Sequence, residues 1–168
     1  MKIEQLLSFL GGGVDSETAR KLYESAKIHI LDLAGVSVGS TEITVMAQSF
    51  GYAHFLNLPT GPIKTITSIT RLGTTTAVSS SAYIIPPMSY AVFRPSGSWT
   101  PGIYTVIYTP FYSEIPEDLD HATAMLVSRL YDARGANNIS AGGVSQTWPE
   151  FYASDIMSLV NQYNTGTV

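Results

Sequence analysis

Hydrophobic positions along the chain fall into three successive patterns: helical spacing from Met1 to Gly35, β-like runs from Thr41 to Thr109, and helical spacing again from Pro116. The clearest helix is the last. Pro116 stands where a first-turn proline is harmless, because its missing N–H would have no partner there, and Glu117, Asp118 and Asp120 follow at the positive end of the helix dipole. Leu119, Ala122, Leu126, Leu130 and Ala133 recur every three or four residues, Arg129 and Arg134 lie toward the negative end, and Gly135 offers a left-handed stop, so the spacing predicts a helix over 116–135. A second stripe, Ala19, Leu22, Tyr23, Ala26, Ile30 and Leu33, is opposed by Glu17, Arg20, Lys21, Glu24 and Lys27. It predicts a helix capped by Asp15 or Ser16 and stopped at Gly35; burying that stripe is worth on the order of 10 kcal/mol before conformational entropy is charged against it. Ile3, Leu6, Leu7 and Leu10 predict a short helix ahead of it, with Gly11, Gly12 and Gly13 as a hinge.

Between the helices the chain reads as strands, judged by β-branched and aromatic content: Glu42 to Phe50, Ala53 to Leu58, Ile63 to Leu72, Ala82 to Ile85, Tyr90 to Phe93 and Ile103 to Thr109. Glycine and proline separate them. Alternation is clean in the last, where Tyr104, Val106 and Tyr108 share one face and Ile103, Thr105 and Ile107 the other. Ile63, Ile66 and Ile69 are three apart, which no regular strand places on one face, so a bulge is expected between them. The small polar residues Gly73, Thr74, Thr75 and Thr76 begin an exposed hairpin tip that runs to Ser81. After a polar loop from Ala136 to Gln146, the segment Trp148 to Tyr163 is too apolar for a solvated linker. Trp148, Phe151, Tyr152, Ile156 and Tyr163 are its candidate anchors, either on a neighbouring molecule or folded back on the chain's own helices. The fold class is α+β: helices from both chain ends form a small bundle, with a large antiparallel β insertion between them.

Length and charge narrow this further. A chain of 168 residues is one domain by length and buries roughly two thirds of its unfolded surface. It contains no cysteine, and its first apolar run is too short for a membrane span, so it reads as a soluble, unprocessed protein. A net charge of -4 without clustered Lys and Arg argues against a protein that grips duplex DNA. From Thr41 to Pro110 the charged residues are Glu42, Lys64, Arg71 and Arg94. Such scarcity on a β surface points to protein neighbours on more than one face.

Chemical motifs are weak. Gly35, Val36, Ser37, Val38, Gly39 fit the G-x-S-x-G pattern of a nucleophile elbow, but that elbow needs a strand before the serine and a helix after it, and here the order is reversed. His29, His54 and His121 fall in three different elements without metal-ligand spacing; Glu117, Asp118 and His121 share one helix turn, where the acids read first as complements to the helix N-terminus and the histidine as partly exposed, with an acid/base or metal cluster as the alternative. Gly11 to Gly13 lack the lysine and the strand of a phosphate loop. Trp99 with Tyr83, Tyr90, Tyr104 and Tyr108 is read first as core, with a carbohydrate-stacking platform as the alternative. No cofactor is implied.

Together, the order of elements resembles the head-to-tail connector (adaptor) proteins of long-tailed bacteriophages and related gene transfer agents. The resemblance rests on the N-terminal helix ending Leu33, Ala34, Gly35; the turn Leu58, Pro59, Thr60, Gly61, Pro62, Ile63 leading into the Ile66 and Ile69 strand; and the Tyr83 strand. It continues with Trp99 and the Tyr104, Val106, Tyr108 strand. The Pro116, Glu117, Asp118, Leu119 helix then closes on Leu130, Tyr131, Asp132, Ala133, Arg134, Gly135 and is followed by a loop and a short C-terminal helix. Where family members commonly carry a Gly-Tyr pair after the last strand, this chain has Phe111 and Tyr112. The resemblance implies one connector domain over 1–168: helical 1–35, β-rich 41–110, helical 116–135 and a docking segment 147–168. It also implies a non-enzymatic virion protein of the neck, assembled in the host cytoplasm. Such a protein forms a homo-oligomeric ring of twelve copies beneath the portal protein and joins the head to a tail, stopper or tail-completion protein. Genomic DNA passes through the channel and no membrane is involved. The hairpin tip at Gly73 to Thr76 would meet the next ring.

Overall fold

The computed structural model describes residues 3–10, 14–137 and 154–163. The helices are α1 (Ile3–Phe9), α2 (Ser16–Ala34), α3 (Glu117–Asn137) and α4 (Ser154–Asn161). The strands are β1 (Ile43–Ser49), β2 (Phe55–Asn57), β3 (Ile63–Arg71), β4 (Ala91–Phe93) and β5 (Gly102–Pro110). The architecture is α+β, with helices from both chain ends and the strands between them. The helical and β-rich stretches form two compact units, Met1–Ala34 with Pro116–Asn164 and Gly35–Ile115.

In the helical unit α3 is central, packed by α1, α2 and α4. Leu119, Ala122, Thr123, Ala124, Leu126 and Val127 are all buried, so α3 buries more than one stripe, as a helix with neighbours on several sides must. Thr123 meets its hydroxyl requirement inside the helix by donating to the Leu119 carbonyl at 2.7 Å. α2 buries Ala19, Tyr23, Ala26, Ile30 and Ala34, the expected face, with Leu22 and Leu33 half-buried at its margins. Its cap is Asp15, whose carboxylate accepts the N–H groups of Glu17 at 3.1 Å and Thr18 at 2.9 Å, and Gly35 at φ +63° provides the left-handed stop. The stop expected at Gly135 does not occur. The backbone stays helical to Asn137, because a lone glycine inside a helix costs only about 1 kcal/mol and does not by itself end one.

The β unit contains an antiparallel sheet in the order β1-β5-β3 and a two-stranded antiparallel pair β2-β4. β5 buries Tyr104, Val106, Tyr108 and Pro110 and turns Ile103, Thr105, Ile107 and Thr109 the other way, as the alternation predicts. β3 pairs with β5 through two register shifts, between Ile63 and Thr65 and between Ile66 and Ser68; these place Ile63, Ile66 and Ile69 on one side despite their spacing of three. One core holds the inward residues of both sheets: Ala47, Ile69, Val106 and Tyr108 from the larger, Leu56 and Val92 from the smaller, with Trp99 among them. The strand expected at Ala82 to Ile85 is absent. Ser80–Ala82 forms a 3₁₀ turn and only Ile84 bridges to Phe93, since Pro86 and Pro87 end any extension and supply no N–H for a ladder. Parallel bridges join Val36 to Gly61 and, tying the ends of the unit together, Val38 to Tyr112, with Gly39 N–H donating to the Tyr112 carbonyl at 2.9 Å. Gly61 is required at the first of these. A Cβ there would lie 2.8 Å from the Tyr90 ring and 3.3 Å from its Cα.

Candidate functional site

Ser37 sits in a hydroxyl cluster. The Tyr108 hydroxyl donates to the Thr60 carbonyl at 2.8 Å and lies 3.2 Å from Ser37 Oγ and 3.0 Å from Thr60 Oγ1. This arrangement fastens the Gly35–Gly39 segment and the Thr60 turn to β5, and it gives Ser37 a phenol as neighbour where a nucleophile needs a base. Among the described residues no three His, Cys, Asp or Glu side chains come together as a metal-binding group, and no helix is long and apolar enough to cross a membrane. Gly11 to Gly13 lie outside the described residues.

The stacking platform is overturned. Trp99 is fully buried; its Nε1–H donates to the Val92 carbonyl at 3.1 Å, Tyr104 meets it edge-on with centroids 5.3 Å apart, and the Arg94 guanidinium lies 4.7 Å from its ring centroid. Tyr104 and Tyr108 are buried too, and Tyr83 and Tyr90 half-buried. A ring whose faces are covered by its own core has no surface for a sugar.

Surfaces offer more. Gly73, at φ +85°, turns the chain after β3, and Thr74 to Thr76 are exposed before the chain returns along β3 through the Thr70–Ala77 bridge and the Val78 N–H to Ile69 carbonyl bond of 2.8 Å. The expected tip is therefore a solvent-facing turn. Of the expected docking residues, Trp148, Phe151 and Tyr152 lie outside the described residues. Ile156 is fully buried with Val160 in the chain's own helical unit, where α4 packs on α3 and α2, and Tyr163 is half-buried with its hydroxyl 3.4 Å from Asp118. Arg129 Nη2 reaches both Asp155 oxygens, at 2.9 and 2.7 Å, and this hydrogen bonding, with the Ile156 N–H, holds the Asp155 carboxyl below the usual carboxylate range. α4 is thus fastened in cis.

Sequence reasoning missed two apolar faces. On the outward side of the three-stranded sheet, Thr44, Met46 and Gln48 of β1 register against Ile107, Thr105 and Ile103 of β5; Met46 is 67% exposed and Ile103 37%. Leu72, whose N–H donates to the Ile103 carbonyl, is exposed beside them. On the outward side of the smaller pair, Phe55, Phe93 and Ile84 form one cross-strand row, with the two phenylalanine rings 4.8 Å apart. The signal that pointed here was the scarcity of charge across 41–110, which says that neighbours exist without saying where.

No protein-family model matches this sequence, and no curated protein matches it. Solved structures do. A chain in the neck of an empty GTA particle, computed with C6 symmetry, aligns with 100% of this chain and 91% of its own length at TM-score 0.67 and 17% identity. One in the virion of a native gene transfer agent (GTA) particle aligns over 100% and 91% at TM-score 0.66 and 17% identity. One in the neck of a native GTA particle, computed with C12 symmetry, aligns over 96% and 89% at TM-score 0.62 and 18% identity. This chain has the fold of those chains along essentially its whole length.

Proposed function

We propose that this protein is a structural subunit of a virion-type neck: a head-to-tail adaptor that forms a ring of twelve copies beneath the portal protein and presents the next surface to a tail, stopper or tail-completion protein. The observation that carries this reading is the full-length fold match to chains of GTA necks, whose structures were computed with six-fold and twelve-fold symmetry. The composition fits. A ring subunit needs two different, mutually complementary surfaces, and the sparsely charged β unit is better suited to neighbours than to solvent. The acidic balance of -4 suits a channel that DNA crosses without adhering. The subunit acts by assembly and carries out no catalysis. It is made in the host cytoplasm and ends in the neck of the particle.

The hairpin tip Gly73 to Thr76 reaches toward the adjoining ring, and Trp148, Phe151 and Tyr152 anchor the C-terminal region on a neighbour or the portal. Electron microscopy of the purified protein mixed with the portal of its own particle tests the reading. A twelve-fold ring seated on the portal is expected. Purified protein that stays monomeric and leaves the portal bare overturns it.

A further inference from the structure

The two apolar faces of the β unit share an arrangement that the fold match does not specify. Leu56 and Val92 turn inward to the common core while Phe55 and Phe93 alternate with them and turn outward. Tyr104 and Val106 turn inward while Ile103, Thr105 and Ile107 turn outward. Both sheets send their inward residues into the same core, so their outward faces are two separate surfaces of the unit. Each exposes large apolar side chains: Met46 at 67% and Leu72 at 61% on one, Phe55 at 51% and Ile84 at 52% on the other. The paired outward positions of the larger sheet carry no formal charge, and the nearest acid, Glu42 just ahead of β1, accepts the Thr67 hydroxyl.

We infer that the occupant of each face is a second copy of this chain: the Met46–Ile103 face of one subunit receives the Phe55–Ile84 face of the next. This rests on the ring reading above. Three observations select a copy of the chain over another partner. A head-to-tail ring demands two distinct patches on each subunit, and the outward faces of the two sheets are two such patches. Both patches expose large apolar side chains and neither carries clustered Lys or Arg, so each matches the other and neither suits nucleic acid. β1 is an edge strand of the three-stranded sheet and borders the first face, so the contact would also cover that edge.

The chain has no cysteine, so exposed positions can be tested by crosslinking without background. Met46→Cys, Phe55→Cys and the double variant are treated with a short bis-maleimide, alone and with the portal, while light scattering records the mass of the untreated wild type. The expected result is a ladder of covalent multimers from the double variant, and a dimer at most when the two single variants are mixed. Each single variant alone gives none. Ladders or dimers from a single variant alone mean that like faces meet, and overturn the head-to-tail assignment. Crosslinks that form only to the portal show that another neck component occupies these faces, and overturn it too. Wild type that assembles while the double variant, equally assembled, yields no multimer overturns the faces and leaves the ring reading standing. Wild type that never assembles, with or without the portal, removes the ring reading itself.

Discussion

At the residue scale, two positions show how closely side chains constrain the backbone. Gly61 approaches Tyr90 so tightly that any Cβ meets the ring at 2.8 Å and the backbone at 3.3 Å, and its amide groups link Gly35 and Ser37 across the parallel bridge. Gly61→Ala should therefore cost about 1–3 kcal/mol through overpacking, read as a lower urea midpoint with an unchanged slope. An unaltered midpoint would show that Tyr90 yields freely. Tyr23 poses a different constraint: its hydroxyl donates to the Asp120 carboxylate, and burial followed by that carboxylate pushes its phenol well above the ordinary value. A phenol raised in the folded state contributes stability that is complete below its unfolded value near ~10 and is lost as pH climbs toward the raised one. Tyr23→Phe should be less stable than wild type by about 1 kcal/mol at pH 7, and the gap should narrow as unfolding is measured at increasing pH above ~10. A gap that holds constant through alkaline pH would mean that Tyr23 and Asp120 are not coupled.

At the scale of elements, what the sequence revealed depended on whether one face of an element had to be buried. α2 was legible because its apolar positions repeat at 3.6 residues opposite a polar face, β5 because Tyr104, Val106 and Tyr108 alternate with Ile103, Thr105 and Ile107, and the spacing of Ile63, Ile66 and Ile69 betrayed the bulges. Periodicity says that a face is covered but not by what. Trp99 reads first as core yet leaves a platform open until its neighbours are known, and the apolar stripe of the C-terminal segment fits a partner as well as its own bundle. The docking of α4 on α3 and α2 resolves that choice for Ile156 and Val160, which are fully buried there. Ile156→Ala should then lower stability by about 2–5 kcal/mol, measured by thermal or urea unfolding of the helical signal. A variant as stable as wild type would mean that α4 is not part of the helical core and is free to dock elsewhere.

At the scale of the molecule, the chain order sets an unusual requirement. α1 and α2 pack with α3 and α4 in one unit although the whole of Gly35–Ile115 intervenes in sequence, and that intervening stretch has a separate core. Ends of the insertion are held to one another by the Val38–Tyr112 bridge within the β unit, so the β fold closes on itself without help from the order of the helices. Two cores with this connectivity predict two cooperative units of stability. Leu126, fully buried in α3, is the place to separate them. Leu126→Ala leaves a cavity worth about 2–5 kcal/mol, which is roughly a 30-fold or greater rise in the open population of whatever unit contains it. Native-state amide hydrogen exchange should show that loss of protection in α1, α2, α3 and α4 together, in spite of their separation along the chain, while the amides pairing β5 with β1 and β3 keep wild-type protection. If the β5 amides lose protection by the same factor, the two cores open as one. If only α3 loses it, the helices from the two chain ends do not share a cooperative core, and the bundle must be regarded as separate hairpins fastened to a common scaffold.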